Sequence, residues 1–321
     1  MRTDPHEHKH AASMAVRGHR HQLAEVDAAI VALAARVATL EALPHPPSKV
    51  VNVSTVVDLL SALADDVDEI VMRNGVYAVS RSSDKRPNSL WIGERFAERT
   101  RPVLARAETP GGVIFDGGGA TYFGGISFEE GADHQTWQGF KFASGGANST
   151  GIIVFGGYQG LAGAHHITLK DTTILETCTA STPLGVTKDH AVYFSGAVGG
   201  VHDILIDGLT HIAAEGALGL DSTINFGKQP SGDYINARNV IVRNMHVTGG
   251  EFGVVFWEGQ GGDLTIEDST ITNALRFAVR YEETGRLTLR RVVSTDSGVQ
   301  GFYSSLGANP PGVIFEECDL R

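Results

Sequence analysis

The chain has 321 residues, 42% of them hydrophobic, enough for one large domain or two ordinary ones with a sizeable core. Its formal net charge of -11 argues against nucleic acid as a main partner, because phosphate binding needs a basic surface. Glycine is abundant at 39 residues, but no Gly-X-Y period accompanies it, which excludes collagen and points to turns at regular intervals.

Residues 1–16 are polar, His-rich and without periodicity, and read as a flexible tail. They carry no apolar h-region, and no segment is long and apolar enough to span a bilayer. The expectation is a protein without a signal peptide, assembled in a cytoplasm, with no membrane insertion.

Residues 17–43, "RGHRHQLAEVDAAIVALAARVATLEAL", carry apolar side chains at Leu23, Val26, Ile30, Leu33, Val37 and Leu40. The steps alternate three and four, the a/d rule of an α-helical coiled coil. So narrow a seam needs copies of itself or a groove; the heptads alone do not separate dimer from trimer. His19 and His21 stand just ahead of it, two apart, so that an extended backbone presents both to one side. Three chains around one axis would supply six imidazoles, a set suited to Fe, Ni or Zn; the alternative is a pair of solvated tail histidines. Residues 44–49 are Pro-rich and read as a stiff linker.

The remainder, 50–321, reads as one β domain. Ser54 is the expected N-cap of a short helix with Val57, Leu60, Leu63 and Ala64 on one helical face. "EIVMRNGVY" predicts a strand and an Asn-Gly turn, residues 81–106 an exposed excursion, and "PVLARAETPGGVIFDGGG" a return to strands. From Gly111 onward two strand types alternate. One is "HITLKDTTI", "DILIDGLTHI", "NVIVRNMHV", "DLTIEDSTI" and "RLTLRRVVS"; its companion is "AVYFS", "TINFG", "VVFWE", "AVRYE" and "GFYSS". The late repeats step by 23 or 24 residues, from Leu264 to Leu287 and from Val254 to Ala278. Short strands at such a period, with no helices between them, fit stacked parallel strands, each layer burying the next. Cys178 and Cys318 fit no metal or redox spacing and read as small buried hydrophobes.

"IVMRNGVYAVS", "RPVLARAETPGGVIFDGGG" and the "ITLKDTTI"-type repeats resemble the right-handed, single-stranded parallel β-helix superfamily of pectate lyases, chondroitinase B-like lyases and phage tailspikes. The likeness runs from about Val50 to Arg321 and implies an all-β fold behind the coiled coil, but that fold hosts many functions.

Alternation along the companion strands predicts Val192, Phe194, Ile224, Phe226, Val255, Trp257, Val279, Tyr281 and Phe302 facing inward. Their neighbours then face out: Tyr193, Asn225, Phe256, Arg280 and Tyr303, with Glu258 and Glu282 side by side and Arg280 beside them. Paired carboxylates can divide acid and base roles, so Glu258, Glu282 and Arg280 are the catalytic candidates. Tyr193, Asn225, Tyr303, Asp189 and His190 are the glycan-binding candidates. The alternatives are a surface ladder in which Arg280 neutralises both carboxylates, and a turn Asp beside a capping His. Asp133, His134 and Trp137 fall between repeats, and His165-His166, at the start of one, reads as structural. The basic residue and acidic Ca²⁺ set of the lyases find no match in the repeats beyond Arg280, which favours binding over turnover.

"GHRHQLAEVDAAIVALAARVATLEAL" resembles segments near the start of phage tail-fibre and tailspike proteins. The resemblance implies a homotrimeric virion tail protein, joined to other tail proteins through its N-terminus and binding host cell-surface polysaccharide. The alternative is a polysaccharide lyase or glycoside hydrolase of the β-helix type.

Overall fold

The computed structural model describes residues 49–79, 90–93, 101–117, 125–129, 132–143, 151–156, 163–175, 189–197, 200–213, 220–227, 237–256, 262–282 and 285–321, with the side chains of 189, 220 and 221 left aside. The expected tail, coiled coil, linker, His19 and His21 all lie outside these residues. Residues 49–321 form a single unit.

Every strand pairing in that unit is parallel, and the pairings resolve into three ladders, the three faces of a parallel β-helix. Face one stacks Val50–Val53, Glu69–Met72, Val103–Ala107, Asp133–Gln138, His165–Lys170, His202–Asp207, Arg238–Arg243, the first parts of Asp263–Thr272 and Arg286–Thr295, and Val313–Glu316. Face two stacks Gly75–Ala78, Val113–Asp116, Phe140–Ala143, Thr173–Leu175, Thr210–Ile212, His246–Thr248, the second parts of the same two long strands, and Asp319–Leu320. Face three stacks Leu90–Ile92, Ile126–Phe128, Ile153–Phe155, Asp189–Phe194, Leu220–Phe226, Phe252–Phe256, Phe277–Tyr281 and Gln300–Ser304. One strand from each face makes a rung.

The corner between faces one and two has a simple chemical rule. In successive rungs it is turned by Gly139, Asp171, Gly208, Asn244, Asp268, Arg291 and Glu317, all with φ between 50° and 84°. Glycine pays nothing for this left-handed conformation, and Asn and Asp tolerate it by bonding locally. Backbone bonding continues around the bend, with Asp171 N–H donating to Asp207 O at 2.9 Å and Gly208 N–H to Arg243 O at 3.0 Å. Asn74-Gly75 therefore does not close a hairpin; it carries the chain from face one to face two.

The core lies inside the three faces. Face three contributes a column of rings, Phe128, Phe155, Phe194, Phe226, Phe256 and Tyr281, with successive centroids 4.7 to 5.4 Å apart. That spacing is the rung repeat itself, about 4.8 Å, so like side chains in register stack almost ring on ring. Face one supplies Trp137, Leu169, Ile206, Val242, Ile266 and Leu289 in one inward column. The interior also holds His211, from face two, whose Nδ1 hydrogen-bonds Thr223 Oγ1 at 2.8 Å. Burial drives its pKa down to about 3, so the imidazole is neutral.

Several local expectations are corrected. The helix spans Val56–Ala64 and is capped by Thr55, not Ser54; the Thr55 hydroxyl accepts from Asp58 N–H at 3.0 Å. It buries Leu59, Ala62 and Leu63 against the first strands, while Val57 is exposed. Within the expected excursion, Leu90–Ile92 is a strand of face three with Leu90 and Ile92 fully buried; Val103–Ala107, in the segment expected to return to strands, is a strand of face one. Asp133–Gln138 is likewise a strand of face one and not a segment between repeats. Cys318 is only partly buried, its thiol bonding Leu289 O at 3.2 Å, and Cys178 lies outside the described residues.

The orientation of Phe252–Phe256 is also corrected. Val254 pairs with Val279 and Phe256 with Tyr281, so Val254 and Phe256 stand in the inward columns. Val255 pairs with Arg280, in the column expected for Phe256. All five residues of this strand are buried, so alternation of apolar and polar types could not choose its face.

Candidate functional site

The outward side of face three gathers most of the side chains singled out from the sequence. Tyr193, Asn225, Val255, Arg280 and Tyr303 form one register column across five rungs. Asn225 and Val255 are buried, while Tyr193, Arg280 and Tyr303 are half-buried. The Tyr193 ring stacks on His190, with centroids 5.2 Å apart and planes at 13°. It also lies across Gly227 in the next rung, where an added Cβ would come within 2.7 Å of its ring carbon. His190 is buried and hydrogen-bonds Ser222 Oγ at 3.0 Å. Asp189 begins the same strand.

At the C-terminal rungs the surface becomes aromatic and charged. Phe277 and Tyr303 stack at 4.6 Å with planes 10° apart, and Phe252 stacks on Phe277 at 5.9 Å. The guanidinium of Arg280 sits 5.2 Å from the Phe252 ring centre, a cation–π distance. Arg280 also donates to Glu282 Oε1 at 2.8 Å, and Arg276 pairs with Glu251 at 3.2 Å. The sequence pattern missed Phe252 and Phe277. In Phe277–Tyr281, Ala278 and Val279 are both buried, so strict alternation fails and Phe277 stands on the same side as Arg280. Glu258 lies outside the described residues, so Glu282 is the one member of the expected carboxylate pair that can be located.

The outward side of face one is mainly a set of ion pairs between neighbouring rungs: Arg106 with Glu69 at 2.6 Å, Arg243 with Asp207 at 2.7 Å, and Arg290 between Glu267 at 3.1 Å and Glu316 at 2.6 Å. Hydrogen bonding from Arg243 keeps the Asp207 carboxyl below the usual carboxylate range. These contacts tie neighbouring rungs together. A different cluster sits at the start of this face, where His134, His165, His166, His202 and Asp203 meet. His165-His166 is therefore part of a five-residue polar cluster.

No protein-family model and no curated protein matches the sequence. Solved structures do. The PL6 family polysaccharide lyase Pedsa3628 from Pseudopedobacter saltans superposes with a TM-score of 0.51 at 14% identity, over 79% of this chain and 60% of that one. An alginate lyase from Paenibacillus sp. FPU-7 gives a TM-score of 0.43 at 14% identity, over 84% and 99%. The catalytic domain of a GH87 α-1,3-glucanase gives 0.28 at 13% identity, over 86% and 70%. The chain thus spans 60% of the length of the Pseudopedobacter lyase. At this identity the likeness is one of fold, and it is the parallel β-helix fold.

Proposed function

We propose that residues 49–321 form a polysaccharide-active β-helix that takes a glycan chain along the outward side of face three, as a depolymerase-type domain. The observation that carries this reading is the half-buried Phe277–Tyr303 stack beside the Arg280–Glu282 pair. Flat rings offer apolar faces to sugar C–H groups, while a guanidinium and a carboxylate fix orientation through hydroxyls or acidic substituents. The β-helix shared with a PL6 polysaccharide lyase supports the same reading. In turnover of a uronic-acid polymer, Arg280 would engage the substrate carboxylate and Glu282 would hold Arg280 in place. Incubation of the full chain with a panel of uronate-containing and neutral polysaccharides tests this. New unsaturated ends indicate a lyase, and new reducing ends without unsaturation a hydrolase. Retardation in affinity gels without either indicates a binding domain. No retardation and no new ends on any polymer would overturn the proposal.

The a/d seam from Leu23 to Leu40, behind His19 and His21, favours a second, compatible reading: a homotrimeric virion tail protein that presents this β-helix to host cell-surface polysaccharide. Mass photometry of the full chain tests it. A monomer at working concentration sinks the trimer, and a trimer that collapses on Ile30→Asp and Val37→Asp substitution supports it.

A further inference from the structure

The cluster at the start of face one is laid out as a ligand set. In four successive rungs the chain enters this face through two consecutive residues: Asp133-His134, His165-His166, His202-Asp203 and Arg238-Asn239. The second of each pair has a left-handed backbone, with φ of 51°, 53°, 56° and 50°. In a regular strand two consecutive side chains point to opposite sides. The left-handed residue breaks that alternation, and as a result both side chains of His165-His166 and both of His202-Asp203 take part in one cluster.

Three potential ligand atoms, one each from His166, His202 and Asp203, lie within 4.8 Å of one another. His202 Nδ1 is 2.8 Å from Asp203 Oδ2, and His166 Nε2 is 3.6 Å from the same oxygen. Neighbouring ligands around tetrahedral zinc are separated by about 3.3 Å, given Zn–N and Zn–O bonds near 2.0–2.1 Å. The two spacings to Asp203 Oδ2 bracket that value. The far sides of two of the ligand groups are already engaged. Asn239 donates its amide to Asp203 Oδ1, which leaves Oδ2 to face the imidazoles. His166 Nδ1 lies 3.0 Å from His165 Nδ1; with His166 as donor there, its Nε2 carries the free lone pair. Partners of this kind orient metal-bound imidazoles and carboxylates. The rings are braced by stacking, His165 on His202 at 5.0 Å and His134 on His166 at 4.7 Å. His166 and Asp203 remain partly open, at 47% and 36% side-chain exposure, so an ion can enter and keep a solvent position.

We infer that His166, His202 and Asp203 bind a divalent transition-metal ion of the zinc type, joining two adjacent rungs of face one and leaving one coordination position open. Two imidazoles and one carboxylate suit zinc and its neighbours over Ca²⁺ or Mg²⁺, which prefer all-oxygen sets. The site is separate from the glycan surface proposed on face three and does not depend on it.

The test uses the full chain with His6, His8, His10, His19 and His21 all changed to Ala, which removes competing tail imidazoles. Zinc is titrated against a chromophoric chelator. The expected result is one equivalent bound per chain, lost in His166→Asn and in Asp203→Asn; Asn keeps the left-handed backbone accessible in both. Asn239→Ala should weaken binding about tenfold, as loss of an orienting partner does. Saturating zinc should raise the Tm of the parent but not of the two ligand variants, and Ca²⁺ should do neither. Circular dichroism confirms that the variants are folded. Equal zinc stoichiometry and affinity in the parent and in folded His166→Asn, or no zinc bound by the parent, overturns the inference.

Discussion

Phe277 and Tyr303 belong to successive rungs and stack on the outer side of face three, their centroids 4.6 Å apart and their planes 10° from parallel. Rings in the core stack in the same way, but these two remain half-exposed and lie beside a cation and a carboxylate. Tyr303→Ala should lower affinity for a bound polysaccharide about tenfold, the effect of losing roughly 1.4 kcal/mol of ring contact. Tyr303→Phe keeps the stacking face and should bind within about twofold of the parent. Affinity electrophoresis on the retarding polymer measures both; equal retardation of Tyr303→Ala and parent would show that the stack is not part of the surface used.

A second outcome concerns the rung interior. Phe194 stands between Phe155 at 5.0 Å and Phe226 at 4.7 Å, and is almost wholly buried. Phe194→Ala removes both ring contacts from the middle of the stack, where neighbouring rungs cannot close the gap. The expected loss is about 3–5 kcal/mol, read from the urea midpoint of the unfolding curve. Because each rung is stabilised chiefly by its neighbours, the loss should also broaden the transition by separating the halves on either side.

His211 makes the stability depend on pH in a defined direction. Its folded pKa of about 3 lies below the ordinary value of 6.5, so between these two values the unfolded chain binds a proton that the folded chain refuses. This group has no effect above its unfolded pKa. Below it, stability falls as pH drops, by at most about 1.4 kcal/mol per pH unit, down to the folded pKa. His211→Leu abolishes the titration but leaves the Thr223 hydroxyl without the imidazole. The variant should be less stable than the parent at about pH 8, and the gap should narrow or reverse by about pH 5. Urea midpoints at the two pH values decide it; a constant gap would show that the imidazole is not held neutral.

Arg291 separates backbone strain from ion pairing. It turns a corner at φ 51° and forms a two-pronged pair with Asp268 at 2.6 and 2.7 Å. Arg291→Ala and Arg291→Gly both delete the pair, which is exposed and screened by solvent, so its loss is common to the two variants. They differ in the left-handed conformation, which costs alanine about 1 kcal/mol that glycine does not pay. The glycine variant should therefore be the more stable of the two by urea denaturation; the opposite order would mean that Arg291 does more at this corner than turn it.

The repeat was legible because stacking imposes it on the chain. A parallel rung presents apolar residues at most of the inward positions of its strands, and this rule produced the "ITLKDTTI" and "AVYFS" families. Their pairing into faces one and three follows the quoted segments closely. The slip came at Phe252–Phe256, where every residue is buried and Val254 meets Val279 and not Ala278. One residue of slip reverses a strand's faces, so Phe256 moved from the outer surface to the core. Arg280, Glu282 and Tyr303 lie on the outer side of face three as expected, whereas the Phe252–Phe277 extension of that surface rests on a break in alternation.

The polar cluster at His165-His166 marks where sequence reading stops. Periodicity assigns consecutive residues to opposite sides, and only the left-handed backbone at His166 and Asp203 brings His165, His166, His202 and Asp203 together. Nothing in the periodicity announces that conformation, since His and Asp, though they tolerate it, adopt extended backbone in most strands. The sequence by itself determined the layered β architecture, the inward apolar columns and the acidic balance of the chain, because those follow from side-chain type and spacing. Where the repeat step is irregular, the tertiary structure decided which residues from different rungs become neighbours. Contacts across rungs join positions roughly 23 to 37 residues apart, set by loop lengths and register that no local pattern encodes.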